Sequence, residues 1–91
     1  MPYVKPEIRR HYIDSGLEEM CKAVAMDGVI PGDLNYIFTC LAIAYTDKKL
    51  DYQRINDVVG ALEGAKLEFY RRRAAPYEAK KIEENGDVYN D

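Results

Sequence analysis

Apolar residues recur along this chain at steps of three and four, the spacing of one face of an α-helix. The first stretch opens at Pro6, a residue suited to a first helical turn. It carries a stripe of Ile13, Leu17, Met20, Cys21 and Val24, which Gly16 weakens locally. "MDGVIPGD" then interrupts the pattern with two glycines and Pro31. A second helix is expected to begin between Pro31 and Asp33. Its stripe is Leu34, Ile37, Phe38, Leu41, Ala42 and Tyr45, and its middle, "YIFTCLAIAY", is apolar nearly all round. A helix of that kind belongs in the centre of a fold. "TDKKLD" forms the next turn, and Asp51 is placed to cap the helix after it.

The third stretch, "YQRINDVVGALEGAKLEFYRRRAA", predicts the longest helix, with Ile55, Val58, Val59, Leu62, Ala65 and Phe69 on one side. Pro76 disfavours a helical residue before it and clashes with the preceding turn, so a kink or an end is expected near Ala75. "YEAKKIEE" reads as a further short helix and "NGDVYND" as loosely ordered turn chemistry. The fold class expected is all-α: a small three-helix domain over residues 1–85, with a C-terminal extension after Pro76 and a flexible acidic tail at 86–91. The three stripes, with Leu62 and Phe38 among them, supply the expected core, and Tyr36 and Tyr45 are expected to be half-buried in it.

Ninety-one residues can bury only a thin core, and chains of this size are commonly helped by disulfides, metals or association. Both cysteines, Cys21 and Cys40, fall inside apolar helical patterns and read as small buried hydrophobes. With no CxxC pair and His11 as the single histidine, no zinc site and no cofactor is expected. The opening "MPYVKPEIRR" lacks the apolar segment of a signal peptide, and no run reaches membrane-spanning length. A reduced, cytoplasmic, soluble protein is therefore expected.

Charge changes the picture near the C-terminus. The net charge of −3 argues against broad nucleic-acid binding. Yet residues 66 to 81 hold six basic and two acidic side chains, and residues 82 to 91 hold four acidic and no basic ones. Arginine offers a planar fork of donors that matches phosphate or carboxylate, and tyrosine can stack or donate a hydroxyl. Tyr70, Arg71, Arg73, Tyr77 and Lys81 would converge on an anion if the chain turned at Pro76, and Arg9 and Arg10, beside His11, would add a second cluster. The competing reading is a solvated helix end, whose cations suit the C-terminal end of the helix dipole.

At about 100° per residue, Gly60 and Gly64 lie opposite the apolar stripe of the third helix, together with Asn56 and Leu67. Glycines at that spacing let another backbone come close. These four residues are the candidate oligomer interface, with packing inside one chain as the alternative. Tyr12, Tyr52, Tyr70, Tyr77 and Tyr89, among eight tyrosines, could serve an interface or cover a thin core. Nucleophile, metal and phosphate-loop signatures are absent, so no enzymatic activity is expected.

The opening "PYVKPEIRR", the segment "GDLNYIFTCLAIAY" and the long block "YQRINDVVGALEGAKLEFYRRRAAPYEAKKIEENGDVY" together resemble a family of small uncharacterised proteins encoded by bacteriophages and some bacteria. The resemblance spans most of the chain and brings no assigned activity and no functional residues. It implies a phage-associated accessory protein, in the host cytoplasm if phage-encoded. Such proteins often act by binding, including blocking host defence proteins or sequestering their nucleotide signals. The function expected is therefore non-enzymatic binding of an anionic, nucleotide-type molecule or a host protein by a homo-oligomer. A nucleic-acid-binding accessory factor and a purely structural adaptor are the alternatives.

Overall fold

A computed structural model describes residues 2–90, and among these the only regular structure is helical. Three helical runs succeed one another. The first comprises α1 (Pro6–Tyr12), a wide π-type turn (Ile13–Leu17) and α2 (Glu18–Val24). The second is α3 (Pro31–Thr46). The third comprises α4 (Tyr52–Phe69), a second π-type turn (Tyr70–Ala74) and α5 (Ala75–Asn85). The chain divides into two compact units, Pro2–Val58 and a second from Val59 onwards.

Helix boundaries reflect local chemistry. Pro31 occupies the first turn of α3, where its missing N–H costs nothing. The Asp33 carboxylate accepts the Ile30 N–H at 3.0 Å and ties the entry of the helix down. Asp51 caps α4, its carboxylate accepting the Arg54 N–H at 2.9 Å.

The first run is broken at Gly16, whose φ of 118° lies outside the helical region. A Cβ there would meet no neighbouring atom, so the obstacle to another residue is the backbone conformation alone. Gly16→Ala is expected to lower stability by about 1–3 kcal/mol, the cost of holding a non-glycine residue in such a conformation. A thermal melt reads the loss directly.

Pro76 does not end the third run. Ala74 and Ala75 keep right-handed helical dihedrals, and Pro76 sits in the first turn of α5. The Ala75 N–H reaches back five residues to the Tyr70 carbonyl, which widens the turn ahead of the proline. A proline ring collides with the carbonyl four residues before it, and the π-type turn gives that carbonyl room. The end expected near Ala75 does not occur: helical backbone runs on through Pro76, with a change of hydrogen-bond register in the turn before it.

The expected core is not formed inside either unit. No described residue is buried. Of the residues assigned to the core, Val24, Ile37, Ala42 and Val58 are half-buried. Ile13, Leu17, Met20, Cys21, Leu34, Leu41, Tyr45, Ile55, Val59, Ala65 and Phe69 are exposed, as are Phe38 at 50% and Leu62 at 43%. Tyr36, expected half-buried, is 69% exposed, and both cysteines are exposed free thiols. The reason is architectural. Inside each unit, the segments that lie side by side are neighbours in sequence, and no helices distant in sequence pack along their lengths. An amphipathic stripe without a second layer stays open to solvent.

Candidate functional site

The segment from Glu68 to Glu84 is one run of helical backbone, and it spreads its charges around the helix instead of folding them into a pocket. Arg71 pairs with the Glu68 carboxylate, and Arg72 approaches the same oxygen at 3.9 Å. Glu68 is the most covered carboxylate among these pairs, with its side chain 16% exposed. Lys66 is engaged with Glu63 at 3.3 Å, and Lys81 with Glu84 at 3.2 Å. The Lys81 ammonium also stands 5.5 Å from the centre of the Tyr77 ring. Arg73 and Lys80 have no carboxylate partner among the described residues.

The expected convergence of Tyr70, Arg71, Arg73, Tyr77 and Lys81 through a turn at Pro76 does not occur, since the chain runs on as a helix. Tyr77 and Lys81 are brought together by four-residue spacing. Tyr70 is taken up elsewhere, its hydroxyl donating to a Glu78 carboxylate oxygen at 2.5 Å. The extra residue in the π-type turn explains that reach, because it places Glu78 where the seventh residue of a regular helix would stand. Arg9 and Arg10 belong to the first unit. There Arg9 Nε donates to the Val4 carbonyl at 2.7 Å, and Arg10 pairs with Asp14 at 3.2 Å.

The glycine-bearing face is partly shaped as expected. Gly64 and Leu67 line a shallow groove of about 680 Å³ with Lys66, Glu68, Tyr70 and Arg71. Gly60 is exposed, and a Cβ added there would meet no described atom within 4 Å. Asn56 is exposed on the part of α4 that belongs to the first unit.

Sequence reasoning missed the most connected polar cluster, at the corner between α3 and α4. The Tyr45 hydroxyl donates to Asp57 at 2.9 Å, and Gln53 Nε2 donates to the other Asp57 oxygen at 2.7 Å. Arg54 donates to the Tyr45 carbonyl at 3.2 Å, and its guanidinium lies 5.5 Å from the Tyr45 ring centre. Arg54 and Asp57 are half-buried, which charged residues adopt mainly when partnered. A signal was present: Gln53 and Asp57 stand four residues apart, within reach along one helix.

Three hydroxyls hold their protons more tightly than free tyrosine, whose ordinary value is 10.0. Tyr45 is pushed up by its hydrogen bond to Asp57 and that carboxylate's charge, with Arg54 opposing. Glu78 does the same to Tyr70, and the neighbouring Cys40 thiol raises Tyr36. A raised folded-state value contributes stability that is complete below the unfolded value near 10 and is lost as pH climbs through the folded value. Resistance to urea is therefore expected to fall above about pH 10. Glu78→Gln should return one tyrosine to ordinary ionisation in an ultraviolet titration, while Tyr45 stays raised.

Among the described residues, no group of three or more His, Cys, Asp or Glu side chains is arranged to hold a metal ion. No helix among them is long and apolar enough to cross a membrane.

Fold and site together define a small all-α protein with exposed apolar helix faces and a charged C-terminal helix. The sequence pattern of one protein family matches residues 1–88, and the chain belongs to that family, described as a domain of unknown function (DUF6899). Comparison with curated proteins and with solved structures finds no match.

Proposed function

We propose that this chain is a non-enzymatic binding protein that works as a homo-oligomer and takes an anionic ligand of the nucleotide type, or an acidic protein surface, on the helical run from Tyr70 to Asn85. The observation carrying this reading is the strip formed by Arg73, Tyr77, Lys80 and Lys81. These residues succeed one another at steps of four, three and one along helical backbone, so they share a side of the helix. Arg73 and Lys80 keep their donors for an incoming anion, and Tyr77 offers a ring beside them on which a base can stack. Arg71, drawn onto Glu68, contributes less than the sequence suggests. Resemblance to phage-encoded proteins supports an accessory role, including counteracting host defence in the host cytoplasm.

Calorimetric titration of a nucleotide panel, cyclic dinucleotides included, tests the ligand. A charge-assisted contact is worth about 1.5–3 kcal/mol, so Arg73→Ala/Lys80→Ala should weaken binding by more than tenfold. Removing residues 86–91 should strengthen it at low salt, because competing carboxylates are lost. One of these, Asp91, lies outside the described residues. If no nucleotide or acidic peptide binds the wild type, the strip is a solvated helix surface.

A further inference from the structure

The strip proposed for the anion straddles Pro76: Arg73 lies before it, and Tyr77, Lys80 and Lys81 lie after it. Its four side chains share a side only while helical register is kept through the proline. That junction is weakly made. Pro76 has no N–H to give to the turn before it, and the Ala75 N–H reaches five residues back instead of four. α5 adds little of its own. It has eleven residues, none of them buried, and a helix that short is marginal in water. Inside its unit it lies against the π-type turn.

Tyr70 and Glu78 span the same junction. Tyr70 opens the π-type turn, and Glu78 stands in the first turn of α5. The hydroxyl of one donates to the carboxylate of the other at 2.5 Å. Residues eight apart in a regular helix stand about 80° apart around its axis. With one residue taken up by the wide turn they stand about 20° apart, and the bond can close. The bond thus belongs to the register that Pro76 also favours, and it is lost if α5 swings away. It also occupies Glu78, which stands three residues before Lys81 and would otherwise compete for it as Glu84 does. Both residues lie in the unit from Val59 onwards, so this geometry is complete within one compact unit.

We infer that Tyr70 and Glu78 are positioning residues: their bond holds the register of α5 past Pro76 and so keeps Arg73 on the side of Tyr77, Lys80 and Lys81. The inference rests on the anion-binding reading above and deepens it, and its test has one arm that needs no ligand.

In that arm, hydrogen exchange of Tyr70→Phe reads the junction. Amides from Tyr77 to Ile82 should exchange faster than in the wild type by about threefold or more, and those of α4 should be unchanged. The second arm is calorimetric titration with ATP as the probe. Tyr70→Phe should weaken ATP binding by about threefold or more, with no change of charge. Glu78→Ala should weaken it too, although it removes a negative charge and puts in the best helix former, both of which by themselves tighten binding. In the Tyr70→Phe background the sign should reverse. Adding Glu78→Ala there should tighten ATP binding, because only a repelling carboxylate is left to lose. Unchanged exchange in Tyr70→Phe overturns the inference, and so does Glu78→Ala protein that binds ATP more tightly than the wild type. If the wild type binds no ATP while Tyr70→Phe exchanges faster, the ligand reading fails and the hold of the bond on α5 stands.

Discussion

The melting temperature of the wild-type protein should climb with protein concentration, and dilution alone should unfold it. No described residue is buried, so neither unit has an interior of its own to oppose the entropy of unfolding. If a second copy supplies the missing layer, mass action sets stability. For a dimer, each tenfold dilution then removes about 1.4 kcal/mol per dimer, or about 0.7 kcal/mol per chain, and in a domain of this size 1 kcal/mol moves the midpoint by about 4–8 °C. Circular dichroism over a hundredfold concentration range should show a displaced transition at each step. A midpoint that stays constant would mean that one chain completes its own fold.

Phe38→Ala carries the second large effect. In the isolated chain Phe38 is 50% exposed, and truncating a side chain so open to water would cost little. Packed at the centre of an assembly, the ring is covered, and its removal should cost about 3–5 kcal/mol. That is a large share of the roughly 5–15 kcal/mol that keeps a typical domain folded. Chemical denaturation of both proteins at equal concentration measures the difference. A loss below about 1 kcal/mol would place Phe38 in solvent and remove α3 from the interior of the assembly.

Local chemistry was legible in the sequence wherever one residue type suffices. Pro31 marked the start of α3, Asp51 the cap of α4, and Gly16 the weak point of the first run, which the structure shows as a break. The all-α class came from the three stripes. Periodicity, however, states which side of a helix is apolar and not what lies against it. Ile13, Leu62 and Phe38 were therefore assigned to a core that neither unit builds by itself. The reach of Pro76 was only partly readable, for a related reason. A proline removes one hydrogen bond, and whether the chain bends or changes register depends on the residues before it, here Tyr70–Ala74.

At the candidate site, the four-residue step from Tyr77 to Lys81 could be read directly, and it forms. The diversion of Arg71 and Arg72 to Glu68 was also readable, at steps of three and four, but was obscured by counting charges over the segment instead of pairing them. The link between Tyr70 and Glu78 was not readable, because it depends on the extra residue in the π-type turn. The Tyr45–Asp57 bond joins two helices across a turn, and nothing in either stripe announces it.

Sedimentation equilibrium of the wild-type protein at tens of micromolar tests the central claim most directly, that a second copy completes this fold. The expected result is a helical species whose mass is a whole-number multiple, two or greater, of 10.5 kDa. A stable, fully helical species at the mass of one chain would contradict it.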